Sequence, residues 1–79
     1  MNENCIAIDL KLTGEKIKTL REKAGMKVKD LQNVFGFTAP QAIYKWQQGT
    51  TLPTIDNLVI LSSVLDVKIE DILVIRSKD

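Results

Sequence analysis

Residues 40–53, PQAIYKWQQGTTLP, decide the fold of this chain. Pro40 is tolerated in the first turn of a helix, because the N–H that it lacks would have no partner there. Gly49 is a common helix end. The stretch therefore predicts a short helix over 40–48.

The two sides of this helix differ in character. Successive helical residues are about 100° apart, so Ile43 and Trp46 share one side, which predicts that this side is buried in a core. The opposite side holds four polar side chains: Gln41, Tyr44, Lys45 and Gln48.

These four polar side chains can all donate hydrogen bonds, and none is a carboxylate. Base edges in the major groove of DNA present acceptors; amide side chains pair with adenine and lysine reaches guanine. The only charged residue between Leu31 and Ile55 is Lys45, and a surface free of acids favours the approach of phosphate. The alternative is an ordinary helix with a solvated face, on which Tyr44 covers Trp46.

The rest of the chain predicts a mainly α-helical domain over residues 1–79, with a short strand near each end. The two strands are expected to pair, because an isolated strand would leave its backbone groups unsatisfied. The predicted elements are a strand over 5–12, helices over 13–24, 28–35, 40–48, 54–65 and 68–73, and a strand over about 73–76.

Local signals place the helix ends. Thr13 is expected to cap the first helix, with Leu12 and Ile17 as a hydrophobic staple, and Thr54 is expected to cap the fourth. Glycines end the first three helices. The second helix is expected to direct three side chains inward: Leu31, Val34 and Phe35.

The fourth helix is apolar around most of its circumference. Its core face is predicted to consist of Ile55, Leu58, Leu61 and Leu65. Val59, Ile60 and Val64 extend the apolar surface to the other side. Such a helix is either central in the core or covered by a partner, so a homodimer contact through this helix, or through the terminal strands, is a second interpretation.

The composition argues against an enzyme. The 79 residues include one cysteine, Cys5, and no histidine, which excludes a disulfide within the chain, histidine-based catalysis and most zinc sites. We therefore expect no catalytic residues, no metal and no cofactor. No apolar run is long enough for a membrane span, and MNENCIAIDLKL lacks a secretory signal. A cytoplasmic protein without a separate effector domain is expected.

The net charge of +1 is unevenly distributed. Residues 11–29 hold seven bases and two acids, whereas residues 54–73 hold one base and four acids. This polarity favours an anionic partner at the N-terminal half. Lysine-rich helix surfaces without a function are the alternative.

The order of these residues resembles the Cro-like, xenobiotic-response-element (XRE) helix-turn-helix family of small bacterial or phage-type regulators. The resemblance spans about residues 14–73, and its strongest part is Ile43-x-x-Trp46-x-x-Gly49-x-x-x-Pro53. It implies a five-helix, sequence-specific DNA-binding domain that reads DNA with its second and third helices. The other residues that carry it are Ile17, Leu20, Arg21, Gly25, Leu31, Phe35, Gly36, Phe37, Leu52, Leu58, Leu61, Leu65, Val67, Ile72 and Leu73.

Three features depart from the family pattern. Lys27 and Val28 stand where the family usually has a polar cap and a phosphate-binding glutamine. Gln32 replaces a small residue that is usual where the second and third helices cross. The turn between these helices is also one residue longer, with the insertion placed within residues 38–40.

The resemblance and the polar face together define the expected contacts. Carried over from Trp46, the base-reading positions fall on Gln41, Tyr44 and Lys45. The expected contacts to the DNA backbone are Lys27, Lys29, Thr38 and Gln48. Arg21 is expected to be a structural charge or one that faces the DNA backbone. The sequence thus predicts a DNA-binding transcriptional regulator, a repressor. A protein-interaction module on the same fold, such as an antitoxin-like or phage-regulator partner, is the alternative.

Overall fold

The structure is a computed structural model that describes residues 5–78. It confirms a mainly helical fold with a small antiparallel sheet that joins the two ends. The elements in chain order are β1 (Cys5–Ile8), α1 (Leu10–Lys23), α2 (Val28–Phe35), α3 (Gln41–Gln48), α4 (Ile55–Leu65), α5 (Ile69–Ile72) and β2 (Ile75–Lys78).

The sheet pairs β1 with β2, as the sequence predicts. Ile8 lies opposite Ile75, and Cys5 lies opposite Lys78. The strand near the C-terminus begins at Ile75 instead of residue 73, because the backbone of Val74 is hydrogen-bonded to the start of α1 and the residue before it. The Val74 carbonyl accepts a hydrogen bond from the Asp9 N–H at 2.8 Å.

The start of the first helix differs from the prediction. The strand ends at Ile8, and α1 begins at Leu10, where the Asp9 carboxylate accepts a hydrogen bond from the Leu12 N–H at 2.8 Å. Apolar–polar alternation continues by coincidence through the first helical turn. The predicted strand over 5–12 is therefore too long, and the predicted cap at Thr13 and staple at Leu12 are wrong.

Thr13 instead joins the two ends of the chain. It is fully buried, and its hydroxyl accepts a hydrogen bond from the Val74 N–H at 2.9 Å. A buried backbone N–H needs such a partner. The hydroxyl that sequence reasoning assigned to a helix end thus fixes α1 against the segment before β2.

Most other helix ends agree with the sequence. Thr54 caps α4 by accepting a hydrogen bond from the Asn57 N–H at 3.2 Å. Gly36 and Gly49 end α2 and α3 in the left-handed conformation, with φ of 70° and 77°. This conformation is readily available to glycine and costs other residues free energy.

One core lies between the helices. Its largest fully buried apolar side chains come from five helices: Ile17, Leu31, Ile43, Leu61 and Ile72. Leu58 and Leu65 are also buried, but Ile55 is 77% exposed, so its predicted place in the core is wrong. A helical side chain covers the turn that precedes it, and Ile55 is the first residue of α4. The predicted inward position of Val34 is also wrong, since it is 46% exposed.

Helices α1 and α3 touch through their backbones. A Cβ added at Gly14 would collide with the Trp46 carbonyl oxygen and lie 2.6 Å from that of Gln47. A Cβ added at Gly49 would lie 2.7 Å from the Lys11 Cα. The first half of α1 therefore sets the position of α3.

Candidate nucleic-acid interface

Helix α3 separates its polar and apolar residues as predicted. Ile43 is fully buried and Trp46 is 4% exposed. The four side chains of the opposite side are all exposed and share one face of α3: Gln41, Tyr44, Lys45 and Gln48. The structure thus places four side chains that can donate hydrogen bonds on one exposed face of α3.

An aromatic cluster fixes the turn in front of α3. The rings of Phe35 and Phe37 stack with centroids 5.1 Å apart. Trp46 meets both rings edge-on, at centroid distances of 5.4 Å and 6.0 Å. Tyr44 is 45% exposed and belongs to none of the ring pairs in the described part of the chain. Tyr44 therefore does not act as a ring lid over Trp46.

Gln32 stabilises the longer turn between α2 and α3. Its backbone carbonyl accepts a hydrogen bond from the Phe37 N–H at 3.1 Å. Its side-chain Nε2 donates to the Phe37 carbonyl at 3.2 Å. The backbone N–H and the backbone carbonyl of Phe37 are therefore both hydrogen-bonded to Gln32. A small residue at position 32 could not make the second bond, which gives this departure from the family pattern a structural reason.

Arg21 connects three parts of the structure from a buried position. It is 8% exposed. Its Nε donates to the Gln47 Oε1 on α3 at 2.9 Å, and its Nη1 donates to the Met26 carbonyl before α2 at 2.7 Å. Glu22, more than half exposed, approaches its Nη2 at 3.9 Å. The expected structural role of Arg21 agrees with this geometry.

Gln47 is a structural residue of this site that the sequence analysis did not assign. Its bond to Arg21 links α3 to α1 and fixes the rotation of α3 about its axis. The available signal was its position on the same side of the helix as Ile43 and Trp46. A polar residue on a buried side needs a hydrogen-bond partner, and the structure shows that Arg21 is this partner.

The remaining predicted contact residues lie outside α3. Lys27 and Lys29 are exposed at the start of α2, where the Asp30 carboxylate accepts a hydrogen bond from the Lys27 N–H at 2.7 Å. Thr38 is exposed in the bend before α3. Helix α2 packs on α3, so the start of α2 and the polar face of α3 belong to one helix pair.

Metal sites and membrane spans are two other features that residues 5–78 could carry. No group of three or more cysteine, aspartate or glutamate side chains there is placed to hold a metal ion. None of the helices in that range has the length and hydropathy that a transmembrane segment needs.

Comparison with known proteins identifies the fold. A family model described as Helix-turn-helix matches residues 17–72, from α1 to the end of α5. Neither a curated protein nor a solved structure gave a significant match. The family match covers well over half of the chain and includes the whole of α2 and α3. The chain therefore belongs to the Cro/XRE-type helix-turn-helix family, a family of DNA-binding domains.

Proposed function

We propose that this protein is a sequence-specific transcriptional repressor that inserts α3 into the major groove of DNA. The observation that carries the proposal is the acid-free, exposed face of α3 on a helix whose other side is locked into the core. Helix-turn-helix domains read bases from the second helix of the motif. Such a reader needs donors for base acceptors and a surface that does not repel phosphate.

We assign the base contacts to Gln41, Tyr44 and Lys45. Gln41 begins α3, and the first residues of a reading helix approach the bases most closely. Its amide suits adenine, and the Lys45 ammonium suits the acceptors of guanine. The Tyr44 hydroxyl can donate or accept a hydrogen bond, and its ring can contact a thymine methyl group.

We assign the contacts to the DNA backbone to Lys27, Lys29, Thr38 and Gln48. The first two flank the N-terminus of α2, where unpaired N–H groups and the helix dipole favour an anion. Thr38 and Gln48 lie just before and at the end of α3, so they border the reading surface. Contacts of this kind position a protein on the duplex without reading its sequence.

Repression is the proposed outcome of binding, because a domain bound over a promoter would exclude other proteins from it. Selection of bound duplexes from a random pool tests the sequence-specific part of the proposal, because it returns both the preferred site and its symmetry. A reporter gene placed under that site tests repression. Binding of this kind also places the protein in the cytoplasm, with the DNA.

Loss of a base contact is expected to weaken binding selectively. Lys45→Ala and Gln41→Ala should each reduce affinity for the selected site by about 1–3 kcal/mol and relax the preference at one base pair. Fluorescence anisotropy with the selected duplex and single-base variants of it measures both effects. A uniform loss over all duplexes would show that these side chains contact phosphate instead.

Loss of a backbone contact is expected to act on all sequences alike. Lys29→Ala should weaken binding to selected and random duplexes by the same factor. It should also reduce the slope of the logarithm of affinity against the logarithm of salt concentration by about one, as expected for the loss of one phosphate contact. Lys68→Ala, on the acidic C-terminal half, is the matched control and should leave both unchanged. Binding that does not depend on salt would contradict the electrostatic part of the proposal.

A protein-interaction module is the second candidate function. It is favoured by the apolar surface of α4, where Ile55 is 77% and Val59 is 51% exposed. A stoichiometric protein partner, together with no retention on DNA at low salt, would decide for this alternative. The same surface, or the terminal sheet, also supports a homodimer, which would present two reading helices to half-sites about 34 Å apart.

A further inference from the structure

The terminal sheet has unusually little to stabilise it. It consists of two strands of four residues each. An isolated pair of strands is marginally stable in water, and each strand here has one unpaired edge. Two of its isoleucines are also largely exposed, Ile6 at 68% and Ile75 at 58%.

The register shows which backbone groups face outward. Asp9 donates to the Val74 carbonyl, so hydrogen-bonded pairs recur every second residue, and the next pair is Ala7 with Arg76. The N–H and C=O groups of Ile6 and Ile8 then point away from β2. They form an edge that can accept another strand.

The two edges of the sheet differ in charge. The sequence of β2, IRSK, contains two basic residues, whereas the sequence of β1, CIAI, contains no charged residue. Charged residues protect sheet edges from further pairing. The edge of β1 lacks this protection.

We propose that a second copy of the chain pairs with β1 in antiparallel orientation about a twofold axis at Ala7. The result is a four-stranded sheet in the order β2–β1–β1–β2. This inference concerns assembly and does not depend on DNA binding.

The sequence of β1 is self-complementary in this register. Each Ile6 lies opposite the Ile8 of the other copy, and the two Ala7 methyl groups meet at the axis. Cross-strand pairs of β-branched residues stabilise sheets. The corresponding pairing through β2 about Arg76 would place two guanidinium groups opposite each other, which is unfavourable. These contrasts favour a second β1 as the occupant of this edge.

The size of the contact sets its expected strength. A strand edge of four residues is at the small end of protein interfaces. The dimer should therefore dissociate on dilution. Pairing of reading helices on adjacent half-sites would strengthen it, because DNA holds the two copies together.

Disulfide trapping tests the register. Ala7 would form a pair without hydrogen bonds across the axis, with Cα atoms about 4.5 Å apart, within the range that a disulfide spans. A Cys5→Ser/Ala7→Cys variant, oxidised with glutathione disulfide in the absence of DNA, should give a covalent dimer on a non-reducing gel. Cys5→Ser/Ser77→Cys, on the other strand, is the matched control and should stay largely monomeric.

Sedimentation velocity supplies a second measurement that does not require a disulfide. The wild-type chain should shift from monomer to dimer as its concentration rises, and Ile6→Lys should remain monomeric at the same concentrations with an unchanged helical circular dichroism spectrum. Lys45→Ala should dimerise like wild type even if it no longer binds DNA, which separates this inference from the proposed function.

Three outcomes would overturn the inference. A wild-type chain that remains monomeric at every concentration lacks the contact. Equal trapping at positions 7 and 77 would indicate random collision. A Cys5→Ser/Val59→Cys variant that is trapped efficiently while position 7 is not would place the dimer contact on α4.

Discussion

Gly14→Ala is expected to remove most of the stability of the fold. The added methyl group would collide with the Trp46 carbonyl and lie 2.6 Å from the Gln47 carbonyl oxygen. Both obstacles are backbone atoms of α3, so no side-chain rotation relieves the overlap. Overpacking of this kind costs about 3 kcal/mol or more when the neighbours cannot move. The core of so small a domain supplies only about 3–5 kcal/mol.

Urea unfolding measures this loss through the fluorescence of Trp46, the only tryptophan of the chain. At about 4–8 °C per kcal/mol for domains of this size, the melting temperature should also fall by roughly 12–24 °C. Glu15→Ala is the matched control: it introduces alanine at the next position of α1, which is exposed, and should change little. A Gly14→Ala protein as stable as this control would show that α1 and α3 can separate without cost.

Arg21→Met is expected to have the second-largest effect. Methionine preserves the apolar part of the side chain but removes the donors to the Gln47 Oε1 and the Met26 carbonyl. An acceptor left unsatisfied in a buried position costs about 1–3 kcal/mol. Gln47 is half-buried, so water recovers part of that loss. Because two acceptors lose their donor, the free energy of unfolding should fall by about 2–4 kcal/mol in total.

Gln47→Glu is expected to raise the free energy of unfolding, whereas Arg21→Met is expected to lower it. The buried guanidinium would gain a full negative charge as its acceptor, and hydrogen bonds between two charged groups are stronger than those with one. Stability near neutral pH should therefore rise by about 1 kcal/mol. The same urea titrations measure both variants. If neither substitution changes the unfolding midpoint, the Arg21 hydrogen bonds do not contribute to stability.

Helix α3 was predictable from sequence because its signals are local. Residues three and four apart share a helix face, so the spacing of Ile43 and Trp46 and of Gln41, Tyr44 and Lys45 determined both sides of α3. The glycine ends of α2 and α3 are also local signals. These features depend on backbone geometry within a single turn.

The errors arose where distant parts of the chain meet. Thr13 has the side chain of a good helix cap, but its partner Val74 lies 61 residues away. Ile55 has the spacing of a core residue, but it is 77% exposed at the first position of α4. No local signal in the sequence marks Gly14. Its close packing against the backbone carbonyl groups of Trp46 and Gln47 is evident only in the structure. Contacts of this kind can be identified only from the tertiary structure.

The closure of the chain by Thr13 and Val74 has a consequence for biosynthesis. Translation makes β1 before β2, and five helices lie between them in the sequence, so β1 has no partner strand until those helices have been made. The core helices contact neighbours that are closer in sequence and can assemble earlier. During this interval the uncharged strand is open on both edges. The terminal sheet can form only after β2 has been made, and until then the uncharged edges of β1 are open to mispairing.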